Sequence, residues 1–442
     1  MPMKWITPLI IMLGLSTLGF ATGAFAENLR DIYQLAKNND PQFKAAQAGY
    51  RADAESRSQA RSALLPQINA TVYKTDHRNE SIVPAPASTT DYESNGYTLT
   101  LNQSIYHHEY YLQLDQADAK VAAATSQLHE AEQDLILRVA QNYFDVQNAI
   151  DSRVFARAEK KAISEQLQQA RQRFNVGLTA ITDVHEAQAR YDQSVAQDIL
   201  AENQLAISLE ALRALTGQAH EHLQPLAKSS PLVVPQPQDV NSWVEMALSQ
   251  NLPLKVSQKN LQIARDEVSR QRAGHYPTLD LIAQQISTEV DDGPLFGTTE
   301  DDDTSISLQL NVPIFSGGNT SSKTREAAHR YQQAKENHEK TRRETERLAR
   351  NAYLSVVANI SQVKALKQAL ASSSIALEAT QAGFEVGTRT AVDVLDSQRE
   401  LFLAKRNYAK ARYDYILETL RLKQAAGLLT EQDIFQINNW LE

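Results

Sequence analysis

The sequence repeats itself once, at long range. Arg173-Phe174-Asn175-Val176-Gly177, followed by Thr182-Asp183-Val184, returns 210 residues later as Gly383-Phe384-Glu385-Val386-Gly387 with Val392-Asp393-Val394. The same shift carries Tyr143 onto Tyr353, Gln188 onto Gln398 and Gly217 onto Gly427, while Pro66 reaches Pro277 with one residue of drift. Solenoid repeats have periods of roughly 20–50 residues, so this is a tandem duplication of one large unit. Whatever the first half folds into, the second half must fold into as well.

Each half has the same order of elements. A helical stretch, Pro41 to Leu64 or Pro253 to Ala273, is closed by Pro66 or Pro277. Alternating segments follow. Ile68, Ala70 and Val72 alternate with polar residues, as do Tyr97, Leu99, Leu101, Gln103 and Ile105. In the second half Leu279, Leu281 and Ala283 alternate, and then Ile306, Leu308, Leu310, Val312 and Ile314. Period two predicts strands with one apolar face. Polar stretches between the paired strands, His77 to Asn95 and Thr288 to Asp303, read as connections.

A very long helical pattern comes next, His108 to Val176 and Thr320 to Val386. Leu128, Leu135, Val139, Val146 and Ile150 keep the spacing of one helical stripe, and neither stretch contains an internal proline. Gly177 and Gly387 stop the two patterns. A further helix then runs to Thr216 or Ala426. At 1.5 Å per residue each long helix spans about 100 Å, and the two shorter helices of a half, end to end, sum to about 90 Å. Each half is therefore expected to be a rod with a strand pair at one end.

Pro225, Pro231, Pro235 and Pro237 mark Leu223 to Gln238 as a connector, and the last ten residues, Asp433 to Glu442, are expected to order against it. The resulting division is a leader at 1–26, a first structural repeat at 27–217, a connector or equatorial segment at 218–240, a second repeat at 241–427 and a C-terminal equatorial segment at 428–442. The leader rests on Lys4, the apolar run Ile6 to Phe20 and the small-x-small site Ala24-Phe25-Ala26, which predicts a mature start at Glu27.

Elsewhere no stretch reaches the roughly 18 apolar residues of a membrane-spanning helix, so any crossing must be made by strands. Four strands leave two open edges, which a bilayer does not tolerate, and they cannot enclose a lumen. Other copies must pair those edges. Two copies would give a filled eight-stranded barrel and three a twelve-stranded barrel with room for a pore. The expected fold is mainly α, with long helices, a transmembrane β-barrel portion and an internal repeat. There are no cysteines, which excludes disulfides and thiol chemistry, and the net charge of −9 is poorly suited to nucleic acid.

Four strings carry a family resemblance. RFNVGL with ITDV (Arg173 to Leu178, Ile181 to Val184) and FEVGTRTAVDVLD (Phe384 to Asp396) resemble the two periplasmic turn motifs of the TolC family of outer-membrane efflux and secretion channels. GHYPTLDL (Gly274 to Leu281) and LNVPIFSGG (Leu310 to Gly318) resemble its second-half strand boundaries. The resemblance covers essentially the whole mature chain. It implies a homotrimer in the outer membrane, with a twelve-stranded barrel continuous with an α-helical barrel that crosses the periplasm. It also implies a periplasmic adaptor, an inner-membrane transporter, and a role in efflux or type I secretion.

The two turns hold the candidate site. Asp183 and Asp393 begin helices, with Glu186 and Asp396 three residues on along the same face. Acids there offset the positive end of the helix dipole, which explains their presence in both halves. The resemblance adds a second reading for Asp393 and Asp396, as carboxylate rings around the pore constriction that favour cations. Arg389 has Thr179 as its repeat counterpart, so the dipole does not explain it. The resemblance implies a gate link from Arg389 to Thr182 of a neighbouring copy, and a second from Asp183 to a tyrosine. That second position is Phe384 here, so the hydroxyl is missing. Gly177 and Gly387 form the tips of the helical turns.

Other residues weigh less. Glu289, Asp291, Asp292 and Glu300 to Asp303 match no calcium-loop spacing and read as a solvated external loop. His107 and His108 diverge on either a strand or a helix and read as residues at the barrel rim. No triad, phosphate-cradling loop or metalloprotease motif occurs, so no enzyme, cofactor or metal is expected. An export duct is the leading expectation. A non-conducting periplasmic structural or adhesion rod anchored in the outer membrane is the alternative.

Overall fold

The computed structural model describes residues 26–81, 88–293 and 297–442, so the leader reading lies, but for Ala26, outside the described residues. The first half contains α1 (Leu29–Asn39), α2 (Pro41–Ser62), β1 (Gln67–Ser81), β2 (Ser88–Tyr106), α3 (His108–Asn175) and α4 (Ile181–Thr216). The second contains α5 (Val240–Gln250), α6 (Leu252–Ala273), β3 (Thr278–Gly293), β4 (Gly297–Asn311), α7 (Asn319–Glu385) and α8 (Ala391–Ala425), and α9 (Glu431–Asn438) closes the chain. The long helices fall within a residue of their expected bounds, at 68 and 67 residues. The short helices α1, α5 and α9 were not anticipated. Each opens on a residue able to cap it: Asn28 and Asp239 accept from the backbone N–H groups of Asp31 and Ser242, and Thr430 forms a capping box with Asp433.

Helices α2 and α4 lie against successive stretches of α3, while α6 and α8 do the same for α7. α3 also packs on α6 and α8, which joins the halves side by side. The layer has two different lateral edges: α2 and α4 on one side, α7 on the other. Its main core sits at the equator. There Tyr143, Phe144, Leu212, Tyr415 and Ile416 are buried together with Ile32 of α1 and Ile434 of α9. The connector is tied in by a parallel bridge, Glu27 to Leu223, and by an antiparallel bridge, Leu226 to Leu441, with the Glu442 N–H donating to the Pro225 carbonyl at 2.9 Å. Asp40 caps α2 through the Phe43 N–H at 2.9 Å and pairs with Arg138 of α3 at 2.7 Å.

The four strands form one antiparallel sheet in the order β1-β2-β3-β4. Residues paired across antiparallel strands share a face. The register Ile68↔Leu101, Ala70↔Leu99, Val72↔Tyr97, Leu101↔Ala283, Leu281↔Leu308 and Ala283↔Ile306 gathers the apolar alternation of all four strands onto one face. That face is uncovered, with Val72 81% and Ile306 76% exposed. Asn69, Thr71, Thr98, Thr100, Gln284 and Ser307 occupy the other face.

The strands run further than the alternation indicates. His77 to Asn95 and Thr288 to Asp303, expected as connections, are largely strand. Lys74 pairs with Glu93 at 2.7 Å and Arg78 faces Asp91 at 3.0 Å across the ladder. The reason is that ladder hydrogen bonds need only backbone. An apolar face is required where a hydrocarbon or a core covers the sheet, and these distal rows carry charge on the same face that is apolar below. The acidic cluster, expected as a loop, is therefore distal strand for the most part: Glu289, Asp291 and Asp292 lie in β3, and Glu300 to Asp303 in β4.

Candidate functional site at the hairpin tips

At the end remote from the sheet, α3 turns into α4 and α7 into α8 by the same backbone path. Gly177 and Gly387 adopt φ of 74° and 82°. The Leu178 N–H donates to the Arg173 carbonyl at 2.8 Å and the Gly177 N–H to that of Phe174 at 2.9 Å. In the second tip Thr388 donates to Gly383 at 2.8 Å and Gly387 to Phe384 at 3.2 Å. Both are Schellman closures, in which the left-handed residue and the residue after it each return an N–H to the last helical carbonyls. A Cβ at either glycine would meet nothing within 4 Å, so backbone conformation alone asks for glycine there.

The side chains of the two tips differ. Thr390 caps α8, accepting from the Asp393 N–H at 3.2 Å, while the Asp393 carboxylate accepts from the Thr390 N–H at 2.8 Å. That backbone bond, with the Thr390 hydroxyl, holds the Asp393 carboxyl below the usual carboxylate range. Ala180, in the same position before α4, provides no side-chain cap. Asp183 instead accepts from the Thr179 hydroxyl of its own turn. Thr182 is exposed on the first turn of α4.

Arg389 is exposed and lies across Gly383: a Cβ at Gly383 would come within 2.7 Å of the Arg389 Cγ. This accounts for the one glycine that interrupts α7, whose repeat counterpart is Arg173. Phe384 is half-buried, with the Arg173 guanidinium 4.4 Å over its ring, so the two hairpins meet through a cation–π contact where the resemblance placed a hydroxyl. Asp183 and Phe384 are not hydrogen-bonded, as the missing hydroxyl requires. Asp396 is exposed and pairs with Arg190 of α4 at 2.7 Å. Sequence reading passed over Arg190 and Arg173. The available signal was their mismatch with Glu400 and Gly383, the residues 210 positions on.

Beneath the tips Ile163, Leu167, Ala170, Ala187 and Leu395 form a separate small core that joins α3, α4 and α8. At the other end His107 bonds Asp280 at 3.0 Å and stacks on Tyr110, while His108 turns toward Tyr276, so the two histidines diverge at the junction of sheet and helices. Among the described residues no group of three or more histidine or carboxylate side chains is arranged to hold a metal ion. No helix among them is long and apolar enough to cross a membrane.

Comparison with known proteins bears on the family and the fold. The sequence model for a family described as "Outer membrane efflux protein" matches residues 32–218 and 243–428, one match in each half. The outer membrane protein TolC of Vibrio cholerae is 41% identical over the whole of this chain and 99% of its own length. TolC of Escherichia coli is 36% identical over 99% of this chain and 90% of its own. The alkaline protease secretion protein AprF of Pseudomonas aeruginosa is 31% identical over 93% and 86%. Among solved structures, CusC superposes with a TM-score of 0.78 at 18% identity, covering 91% of this chain and 92% of that one. VceC of Vibrio cholerae gives 0.76 at 18% identity, covering 90% and 96%.

Proposed function

Because this chain belongs to the outer membrane efflux protein family, we propose that it is an exit duct of the outer membrane, serving an efflux pump or a type I secretion system. The carrying observation is the continuity of a four-stranded sheet, apolar on one uncovered face, with a rod wall of side-by-side helices. Such a sheet satisfies its backbone in a bilayer only when its outer edges, β1 and β4, are paired by further copies.

The two lateral edges differ, so contact between copies is heterologous and closes into a ring. The α4 edge carries exposed Ile199, Leu200 and Ile207, and the α7 edge Leu354, Val357 and Ile375. Three copies give twelve strands and an open lumen. In this reading residues 27–217 and 241–427 are the two wall repeats, and 218–240 with 428–442 form an equatorial belt. Asp393 and Asp396 narrow the periplasmic end. Arg389 reaches Thr182 of the next copy, Asp183 and Phe384 stand where a second link would be, and Gly177 and Gly387 mark the tips. A periplasmic adaptor and an inner-membrane transporter complete the path in this reading, as the family resemblance implies.

The test combines mass and conductance. Light scattering with detergent correction should give three times the protomer mass, and a monomer or dimer with intact strand content would overturn the assembly. In planar bilayers the protein should form narrow channels that widen on Arg389→Ser. A trimer without conductance would make it a structural rod, and an unchanged conductance in the variant would remove Arg389 from the gate.

A further inference from the structure

We infer that Arg190 sets the charge of the constriction by neutralising Asp396 from the other hairpin of the same protomer, which leaves Asp393 as the source of the anionic field. The inference rests on the reading of the tips as the narrow end of the duct.

Arg190 Nη2 stands 2.7 Å from Asp396 Oδ1, bridging α4 and α8. The arginine is the more buried partner, 33% exposed against 52%. It shares a cleft between α3, α4 and α8 with Arg399 and Arg406. Arg406 is engaged by Glu159 at 3.0 Å, and of the three arginines it is Arg190 that is ion-paired with Asp396. Asp393, one turn earlier, is occupied differently. Its hydrogen-bond partners are the neutral backbone and hydroxyl of Thr390, and the positive charge of Arg389 acts on it without forming an ion pair.

The duplication shows that this pair is not inherited from the repeat. The 210-residue shift places Glu400 where Arg190 stands and Glu186 where Asp396 stands. In a ring, the joint between α8 of one copy and α4 of the next is the counterpart of the joint inside a protomer. Two glutamates would occupy the positions held by the ion pair. Cross-hairpin attraction of this kind is therefore confined to the joint within each protomer. A guanidinium stays charged throughout the working pH range, so its compensation of Asp396 is permanent. Closely paired opposite charges contribute little potential beyond their own separation, and the field focused in the opening follows the acid that has no direct ion-pair partner.

The experiment is a two-by-two cycle on the full-length assembled protein, read as reversal potential in a potassium chloride gradient. Arg190→Gln should at least double the ratio of cation to anion permeability by unmasking Asp396. Asp396→Asn should lower the ratio by leaving Arg190 unpaired. The double variant should return to the wild-type value, as should the charge-swapped Arg190→Asp/Asp396→Arg, which also reports intact tips. If Arg190→Gln leaves the potential unchanged and the double variant behaves like Asp396→Asn alone, the inference is overturned while the duct stands. If none of these changes nor Asp393→Asn moves the potential, it is the placement of the constriction that falls.

Discussion

The two hairpin tips have one backbone and two chemistries. Gly177 and Gly387 share a left-handed conformation and the same pair of returning hydrogen bonds, and Asp183 and Asp393 follow at the same place, yet several side chains around them differ. The first tip provides Arg173, Thr179 and Ala180 where the second has Gly383, Arg389 and Thr390. A duplicated segment is held to its path by backbone requirements that both copies must meet. Its side chains are free to diverge wherever they face the other copy rather than themselves. The result is a joint with a donor on one side and an acceptor on the other, as with Arg173 over Phe384 and Arg190 on Asp396.

Substitutions at the glycines should have the largest effect and should be equal. Gly177→Ala and Gly387→Ala each impose a left-handed non-glycine residue at a cost of about 1–2 kcal/mol, with no clash in either case. Native-state hydrogen exchange of Leu178 and Thr388 should accelerate by similar factors, and a markedly larger effect at one tip would break the equivalence of the backbones.

Capping should separate the tips. Thr390→Ala removes the side-chain cap of α8 at about 1 kcal/mol, whereas Thr182 and the uncapped Ala180 offer no such loss at the first tip. The effect should depend on pH in a stated direction. Asp393 has a depressed carboxyl value in the folded chain, so its part of the box is fully present above the ordinary carboxylate range and is lost as pH falls through the lower folded value. The gap in exchange protection between wild type and Asp393→Ala at the start of α8 should therefore narrow in acid. A gap that is constant with pH would remove Asp393 from the cap.

The smallest effect belongs to the cation–π contact. Arg173→Ala should loosen the pairing of the two tips by about 0.5–1 kcal/mol, detectable as a modest rise in open-channel frequency. Phe384→Tyr keeps the ring and should preserve the contact. If both variants raise the open frequency alike, the ring matters through its polarity rather than through Arg173.

What could be read from the sequence was what each segment imposes on itself. Helix bounds followed from periodicity and from glycine or proline punctuation, and α3 and α7 end where Gly177 and Gly387 require. The apolar sheet face followed from alternation at Ile68 to Val72 and Ile306 to Leu310. The duplication followed from identity of residues 210 apart. Asp393 at a helix start was likewise legible, because a cap is a local event.

Tertiary structure decided what depends on distance between remote segments. The strands continue through polar residues because ladder bonds are supplied by the partner strand, which no local pattern announces. The equatorial helices α1 and α9 pack on each other and on α3; the stripe Leu29, Ile32, Tyr33 and Ala36 of α1 is legible as a helical face, but what covers it is decided only by the fold. The partners of Phe384 and Asp396 lie more than 200 residues away along the chain. Charge and ring type are written in the sequence, but an ion pair exists only where packing brings two groups within about 3 Å, and it is the docking of α4 against α8 that does so.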